Sequence, residues 1–312
     1  MKSPGAEIHP RPSALSAVAL CLGLLGFSAV AQAETLTLAT YNIENYVAAN
    51  RMTEAGYRKD YPKPEPEKRA LRAVIRALGA DVLVVQEMGG QPYLDELQRD
   101  LRAEGLDYPH AALATASDAD RHLAILSRRP LKAVTTHADL EFAYFGAREK
   151  VKRGLLEATV ATTAGDVTIF VLHLKSRYTE RPDDPASAVR RAAEATAIRD
   201  RVLRRFPSPA AARFVILGDC NDSRASKALE HLQKRGKTPI AERLAAADSR
   251  GDTWTHFYRR EESYTHVDHI LVSPALRPAV RDGAAKIFDG DGVREASDHR
   301  PVAVTLLIEP KK

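Results

Sequence analysis

The chain has 312 residues, a formal net charge of +5 and two cysteines. That mild positive balance is compatible with an anionic substrate but does not single one out. No internal repeat, low-complexity tract or long linker divides the sequence, which excludes a repeat architecture and argues for one sizeable core.

The first segment is not expected to be part of the fold. Lys2 and Arg11 make a basic start, Ala14 to Ala31 is an apolar run rich in small residues, and Ala31-Gln32-Ala33 fits a small-x-small cleavage pattern. This predicts a signal peptide over 1–33, a periplasmic or secreted location, and one catalytic domain over 34–312. A short transmembrane anchor is the competing reading, disfavoured by the small residues and the cleavage pattern. Cys21 follows Leu20, a poor residue for a lipoprotein site, and it leaves with the leader. Cys220 then stands alone, so the processed chain has no internal disulfide. No stable membrane span is expected after cleavage, and a monomer is expected.

In chain order, Leu36 to Tyr41 reads as a first strand from its Thr/Leu alternation. Asn50 to Pro66 reads as a polar surface loop with three prolines. Glu67 to Leu78 carries Leu71, Val74, Ile75 and Leu78 at helical spacing and stops at Gly79. Asp81 to Val85 is a buried strand ending at Gln86-Glu87, and Pro92 to Glu104 a second helix. Ala124 to Ser127 is a short strand. Leu155 to Thr162 and Val167 to Leu172 are joined at Ala164-Gly165-Asp166, a hairpin signal. Pro185 to Phe206 is a long Ala/Arg helix. Phe214 to Leu217, Val267 to Val272 and Pro301 to Ile308 are further strands. Hairpins and helices alternate too irregularly for a doubly wound parallel sheet. Two packed sheets flanked by helices fit better, an α+β architecture.

Polar residues recur where these apolar runs stop. Asn42 and Asn45 follow LTLATY, Glu87 follows DVLVVQ, His173 follows TIFVL, Asp219 and Asn221 lie in ILGDCND, and Asp298 and His299 precede the last strand in ASDHRPV. Taken singly, a terminal Asn is a turn former, a terminal Glu a solvated residue and a lone His a packed one. Taken together, acid, amide and imidazole groups at strand ends suit metal-assisted phosphoryl transfer. A cation offsets phosphate charge, an acid or amide orients the nucleophile, and a histidine donates or moves a proton. Asp219 and Asn221 are two residues apart, so strand spacing sets them on one face. Cys220 between them should point into the core. His269, next to Asp268, should face the other way and be structural.

TYNIEN, VVQEM, AILSRRP, LHLKSR, ILGDCND, YTHVDHILVS and ASDHRPV, in this order, resemble the endonuclease/exonuclease/phosphatase superfamily over Leu36 to Ile308. The resemblance implies a four-layered α/β/β/α sandwich of two mixed sheets flanked by helices, with the site at one end of the sheets. It implies a divalent cation, Mg²⁺ or in its place Mn²⁺ or Ca²⁺, near Asn42, Glu87 and Asp298. It implies catalytic roles for Asp219 on the attacking water, Asn221 on the phosphate, His299 at the scissile phosphate, Asp268 behind His299, and His173 as the second histidine of the deoxyribonuclease-like branch. Arg153 matches a position that often carries a basic residue near the phosphate. Lys175 and Arg177 are also well set for an anion, with a solvated basic edge as the alternative. The inositol polyphosphate phosphatases are disfavoured, because Leu217 precedes the GDxN turn and HVDHILV replaces their later motif.

The expected function is an exported phosphodiesterase, foremost a nuclease with nucleic acid or another phosphodiester as substrate. The alternatives are an enzyme acting on a small molecule or lipid head group, or an inactive binding module on the same fold. Thr253 to His266 mixes aromatics with Arg259 and Arg260. It reads either as a strand-holding platform for nucleic acid or as a core hairpin with one polar face.

Overall fold

Period-2 burial dictates the strands. In Val82–Met88 every residue but Glu87 is buried. Val82 and Val84 join one apolar cluster and Leu83 and Val85 another, because successive strand side chains point to opposite faces. A strand buried on both faces needs a layer on each side.

The computed structural model describes Met1, Gly5, residues 33–53 and residues 55–309. The expected signal segment, residues 1–33, lies outside the described residues apart from Met1, Gly5 and Ala33. Residues Ala31–Lys312 form one unit. Among the described residues no helix is long and apolar enough to cross a membrane.

The chain runs β1 (Glu34–Tyr46), β2 (Ala49–Thr53), β3 (Gly56–Tyr61), α1 (Glu65–Leu78), β4 (Val82–Met88), α2 (Gln91–Ala103), β5 (His110–Ala114) and β6 (His122–Ser127). Next come β7 (Leu131–His137), β8 (Glu141–Tyr144), β9 (Ala147–Lys150), β10 (Leu155–Val160), β11 (Val167–His173), α3 (Ala188–Arg205), β12 (Phe214–Asp219) and α4 (Lys227–Gln233). Short strands β13 (Lys234–Arg235), β14 (Thr238–Pro239), β15 (Glu242–Arg243) and β16 (Ala246–Ala247) follow. The chain ends with β17 (His256–Tyr258), β18 (Ser263–Thr265), β19 (Asp268–Val272), β20 (Ala285–Ile287), α5 (Val293–Ala296) and β21 (Val302–Ile308).

One sheet has the order β16-β20-β21-β1-β4-β6-β5 and the other β15-β19-β12-β11-β10-β7. Both are mixed: β1–β4 and β11–β12 pair parallel, β1–β21 and β12–β19 antiparallel. The sheets face each other across Leu36, Leu38, Val82 and Val84 of the first and Ile169, Val171, Val215 and Leu217 of the second. The first sheet's outer face packs on Leu71, Val74 and Ile75 of α1 and Leu94, Leu97 and Leu101 of α2. The second sheet's outer face packs on Ala195, Ile198 and Val202 of α3 and Leu229 and Leu232 of α4. Each fully buried aliphatic side chain contributes about 1.5–3 kcal/mol. The result is the four-layered α/β/β/α sandwich expected from the sequence.

Three readings need correction. The polar stretch Asn50 to Pro66 is not a plain loop, since Ala49–Thr53 and Gly56–Tyr61 pair as a hairpin. The hairpin has almost no apolar alternation because it packs on no core, and Met52 and Tyr57 are exposed. Helix α1 starts at Glu65 rather than Glu67, with proline in its first turn, where the missing N–H costs nothing. The long helix expected from Pro185 is broken at Ala186 and Ser187, whose φ angles are 58° and 52°. Asp184 explains the break: its carboxylate accepts from the N–H groups of Val189 at 2.8 Å and Arg190 at 3.0 Å, capping a helix that can begin only after the kink. Strands β7, β8 and β9 also escape the sequence pattern. In β7 the five central residues are exposed, so nothing forces alternation there.

Gly218 holds the two parallel strands of the second sheet at the distance the site needs. Its φ is 146°, and a Cβ there would lie 1.9 Å from the Leu172 carbonyl oxygen. Gly218→Ala should therefore destabilise the fold by at least about 2–3 kcal/mol, read from its urea midpoint. An unchanged midpoint would show that β11 and β12 do not approach as described.

Candidate active site

Strand direction gathers the polar strand ends. Parallel β1 and β4 finish at one edge of the first sheet, and antiparallel β21 starts there. Parallel β11 and β12 finish at the corresponding edge of the second, and antiparallel β19 starts there, with His173, Asp219 and Asp268 in register. All these ends open into a cleft of about 1090 Å³ lined by Asn42, Glu87, Arg153, His173, Lys175, Arg177, Asp219, Asn221, Asp298 and His299. Asp268 is buried behind it, 1% exposed.

Asp219 is the hub. Its Oδ1 accepts from the Asn221 N–H at 2.7 Å, and its Oδ2 from Asn42 Nδ2 at 3.0 Å and Asn221 Nδ2 at 3.2 Å. Asn221 reaches it through a turn rather than strand pleating: β12 ends at Asp219, and Asn221 has φ 50°. The same Asp219 oxygen lies 3.4 Å from His173 Nε2 and 3.9 Å from His299 Nε2. Burial first, then the Asp268 charge, pushes the Asp219 carboxyl up to about 7, against the pull of His299 and of the Asn221 and Asn42 hydrogen bonds.

Glu87 sits in a bulge. The β4 ladder shifts register between Gln86 and Met88, and Glu87 has φ 65°. A bulge re-aims its side chain out of the ladder and into the cleft. Its Oε2 accepts from the Asn45 N–H at 2.9 Å, and its Oε1 lies 3.4 Å from Asn42 Nδ2. Asn42 thus bridges Glu87 and Asp219 through its nitrogen, while its oxygen accepts from the Glu44 N–H at 3.1 Å. A hard cation such as Mg²⁺ keeps most of its waters and needs few protein ligands, and the Glu87 carboxylate on the cleft wall fits that demand. Asp298 is joined to His256 and His299 rather than to Glu87, with Asp298 Oδ2 3.7 Å from His256 Nε2 and Oδ1 4.0 Å from His299 Nε2.

The two histidines differ in charge. His299 Nδ1 is 2.8 Å from Asp268 Oδ2. Burial alone would lower its pKa, but the Asp268 charge and hydrogen bond, with Asp219 and Asp298, hold it well above the usual imidazole value. For His173, burial and then Arg153, His299, Arg121 and Lys175 all act downward, which favours the neutral ring. His269 turns to the opposite face, as expected, where its ring nitrogen meets the Asp222 carbonyl at 2.9 Å. Cys220 is fully buried in the α3–α4 core.

The basic wall is wider than the sequence suggests. Arg153 is buried with its Nε 3.0 Å from Asp118. Lys175 is pushed down to about 8 by burial and then by Arg153 and Arg190, and Arg177 lines the cleft at its exposed rim. Arg121, Lys152, Arg181 and Arg190 line it too, and none of them stands out in the sequence. Glu44 is a further residue that sequence reasoning misses; its Oε2 accepts from the Asp298 N–H at 3.1 Å. It is two residues from Asn42 in TYNIEN, a spacing that could have flagged it. The Thr253 to His266 stretch is a rim hairpin, β17–β18, not core. Tyr258 and Tyr264 are exposed, and the Trp254 ring centroid lies 3.5 Å from the buried Arg300 guanidinium.

Two stacked mixed sheets whose strand ends converge on buried carboxylates, amides and an Asp–His pair define a phosphoesterase sandwich. The chain belongs to the Endonuclease/Exonuclease/phosphatase family, whose profile matches residues 39–299. Solved structures share the fold. A beta toxin variant of Staphylococcus aureus with bound magnesium ions is 15% identical, covers 89% of this chain and 100% of its own, and has a TM-score of 0.61. Sphingomyelinase C from Streptomyces griseocarneus is 16% identical, with 88% and 99% covered and a TM-score of 0.57. The catalytic domain of human Nocturnin with bound sulfate is 15% identical, with 88% and 96% covered and a TM-score of 0.58. No curated protein sequence matches the chain at a significant level.

The histidine assignment can be read directly by nitrogen-detected NMR. His299 should remain an imidazolium above pH 6.5, while His173 stays neutral down to lower pH. Because the folded pKa of His299 is raised, its contribution to stability is complete below the unfolded value of about 6.5 and fades as pH rises through the folded value. Asp268→Asn removes the charge and leaves only a neutral amide acceptor, so the His299 transition should move down. A wild-type His299 that titrates at or below 6.5 would contradict the pairing.

Proposed function

We propose that this chain is an exported, divalent-metal-dependent phosphodiesterase, and that its substrate is a nucleic acid. The observation that carries the nuclease reading is the cleft wall. Arg121, Lys152, Arg153, Lys175, Arg177, Arg181 and Arg190 line one cavity with the exposed Tyr178 and Tyr258. A run of cations beside the hydrolytic residues suits a substrate with several phosphates, and interleaved aromatics suit bases that stack.

In this mechanism Asp219 orients the attacking water and accepts its proton. The raised pKa of its carboxyl gives it the basicity of a group poised near neutral pH. Asn42 and Asn221 fix that carboxylate through their amide nitrogens. His299, kept protonated by Asp268, donates to the developing charge on the phosphate, and neutral His173 offers an Nε2–H to the same phosphate. Bound near Glu87, Mg²⁺ or in its place Mn²⁺ or Ca²⁺ would supply charge neutralisation of the phosphoryl oxygens.

A second reading is an enzyme acting on a lipid head group. The exposed hairpin β2–β3 favours it, with Met52 79% and Tyr57 62% exposed, and a sphingomyelinase shares the fold. A panel of plasmid DNA, single strands, RNA and phospholipid vesicles separates the two. Cleavage of phospholipid alone would replace the nuclease reading. We also infer that residues 1–33 are a leader. N-terminal sequencing of the natively produced protein should begin at Glu34, the first residue of β1.

Glu87→Gln should weaken activation by Mg²⁺ and reduce turnover of bis(p-nitrophenyl) phosphate by on the order of 10²-fold, a barrier increase of about 2.7 kcal/mol. Full activity of that variant at limiting Mg²⁺ would remove Glu87 from the cation site.

A further inference from the structure

His256 is a third imidazole at the cleft, unused by the mechanism above. It starts β17, forms an isolated bridge with His299, and its ring centroid lies 4.5 Å from that of His299. The Phe257 N–H donates to the Asp298 carbonyl at 2.9 Å, stitching the two segments together. His256, Asp298 and His299 each offer one ligand atom, all within 4.8 Å of one another.

The outer contacts orient both rings. His256 Nδ1 is 3.3 Å from Thr265 Oγ1, and His299 Nδ1 is 2.8 Å from Asp268 Oδ2. Both Nε2 atoms are thereby turned toward Asp298, at 3.7 Å and 4.0 Å. A histidine whose second nitrogen is held by a hydroxyl or carboxylate is the usual form of a metal ligand. Tetrahedral Zn²⁺, at about 2.0–2.2 Å from N and O ligands, needs neighbouring ligand atoms roughly 3.4 Å apart, so small side-chain rotations close the site. All three residues line the cleft, which leaves a fourth position for water. Two imidazoles and one carboxylate suit Zn²⁺ and related late transition metals and are a poor set for Mg²⁺.

We propose that His256, Asp298 and His299 form a second, inhibitory site for Zn²⁺ or a similar transition-metal ion. Filling it releases the Nε2 proton of His299 to solvent and occupies the atom that would otherwise face the phosphate, so the inhibitory half of the proposal rests on the function proposed above. The binding half does not. Glu87 belongs to neither metal-competent cluster among the described residues, so the two cation loci are separable.

The test is calorimetric titration of zinc chloride into the untagged processed chain, with Co²⁺ visible absorption as a second readout. Wild-type protein should bind zinc at this site and show intense tetrahedral cobalt bands. His256→Ala should weaken zinc binding by on the order of 10²-fold or more, beyond the roughly 10–100-fold cost of losing an outer contact. It should keep Mg²⁺-dependent turnover while resisting inhibition by zinc. Thr265→Val, which keeps every ligand, should weaken binding by about 10-fold and covers the case in which His256→Ala fails to fold. Glu87→Gln should bind zinc like wild type. Wild-type zinc affinity in a folded His256→Ala variant, or no zinc binding by the wild type, overturns the site. Zinc binding that depends on His256 in a chain with no hydrolase activity would keep the site and overturn the function.

Discussion

A buried carboxylate is costly unless its environment is built around it, and Asp219 imposes that demand on the whole sandwich. It is 1% exposed, and an uncompensated charge there would cost several kcal/mol. Its acceptors are met by Asn42 from β1 and by both the backbone and side chain of Asn221 beyond β12. Its counter-charge is His299, ahead of β21, itself held by Asp268 at the start of β19. His173, at the end of β11, closes the circle. Strands from both sheets must therefore end at one point. The parallel pairs β1–β4 and β11–β12 make that convergence geometrically available, and Gly218 lets the second pair close.

The parts of this arrangement most legible in the sequence are those where burial enforces a pattern. Strands buried on both faces read as apolar runs, and the polar residue that stops each run is conspicuous. Asn42, Glu87, His173, Asp219 and His299 stand out for that reason, whereas Asp268, inside an apolar run, is marked only by the family resemblance. Residues whose position depends on tertiary approach leave no local trace. Arg190 reaches the cleft only because Asp184 caps α3 after a kink. His256 counts only because its short strand bridges to His299. The hairpin β2–β3 is invisible because backbone pairing alone, without a buried face, sets no periodicity in the side chains.

Backbone strain is distributed unevenly. Glu44, Asn45, Glu87, Ser187 and Asn221 all have positive φ and all line the cleft. Left-handed conformations at non-glycine residues cost about 1–3 kcal/mol each and persist only where the surroundings over-determine them. Here the compensation is visible: the Glu44 and Asn221 amides donate to the side chains of Asn42 and Asp219, and the Asn45 amide to Glu87. The strained amides are the ones that orient the polar groups of the site.

Strand pairing also fixes where the domain can be opened and rejoined. Glu34 pairs with Ile308 at the edge of the sheet opposite the cleft, so the first and last strands begin and end one strand spacing apart, roughly 5 Å. A short loop could join them with no change to either sheet. The turn at Ala164-Gly165, between β10 and β11, lies at that same far edge and could supply new chain ends. The cleft is thus topologically indifferent to which strand comes first, and a permuted or terminally tethered form would keep it unobstructed.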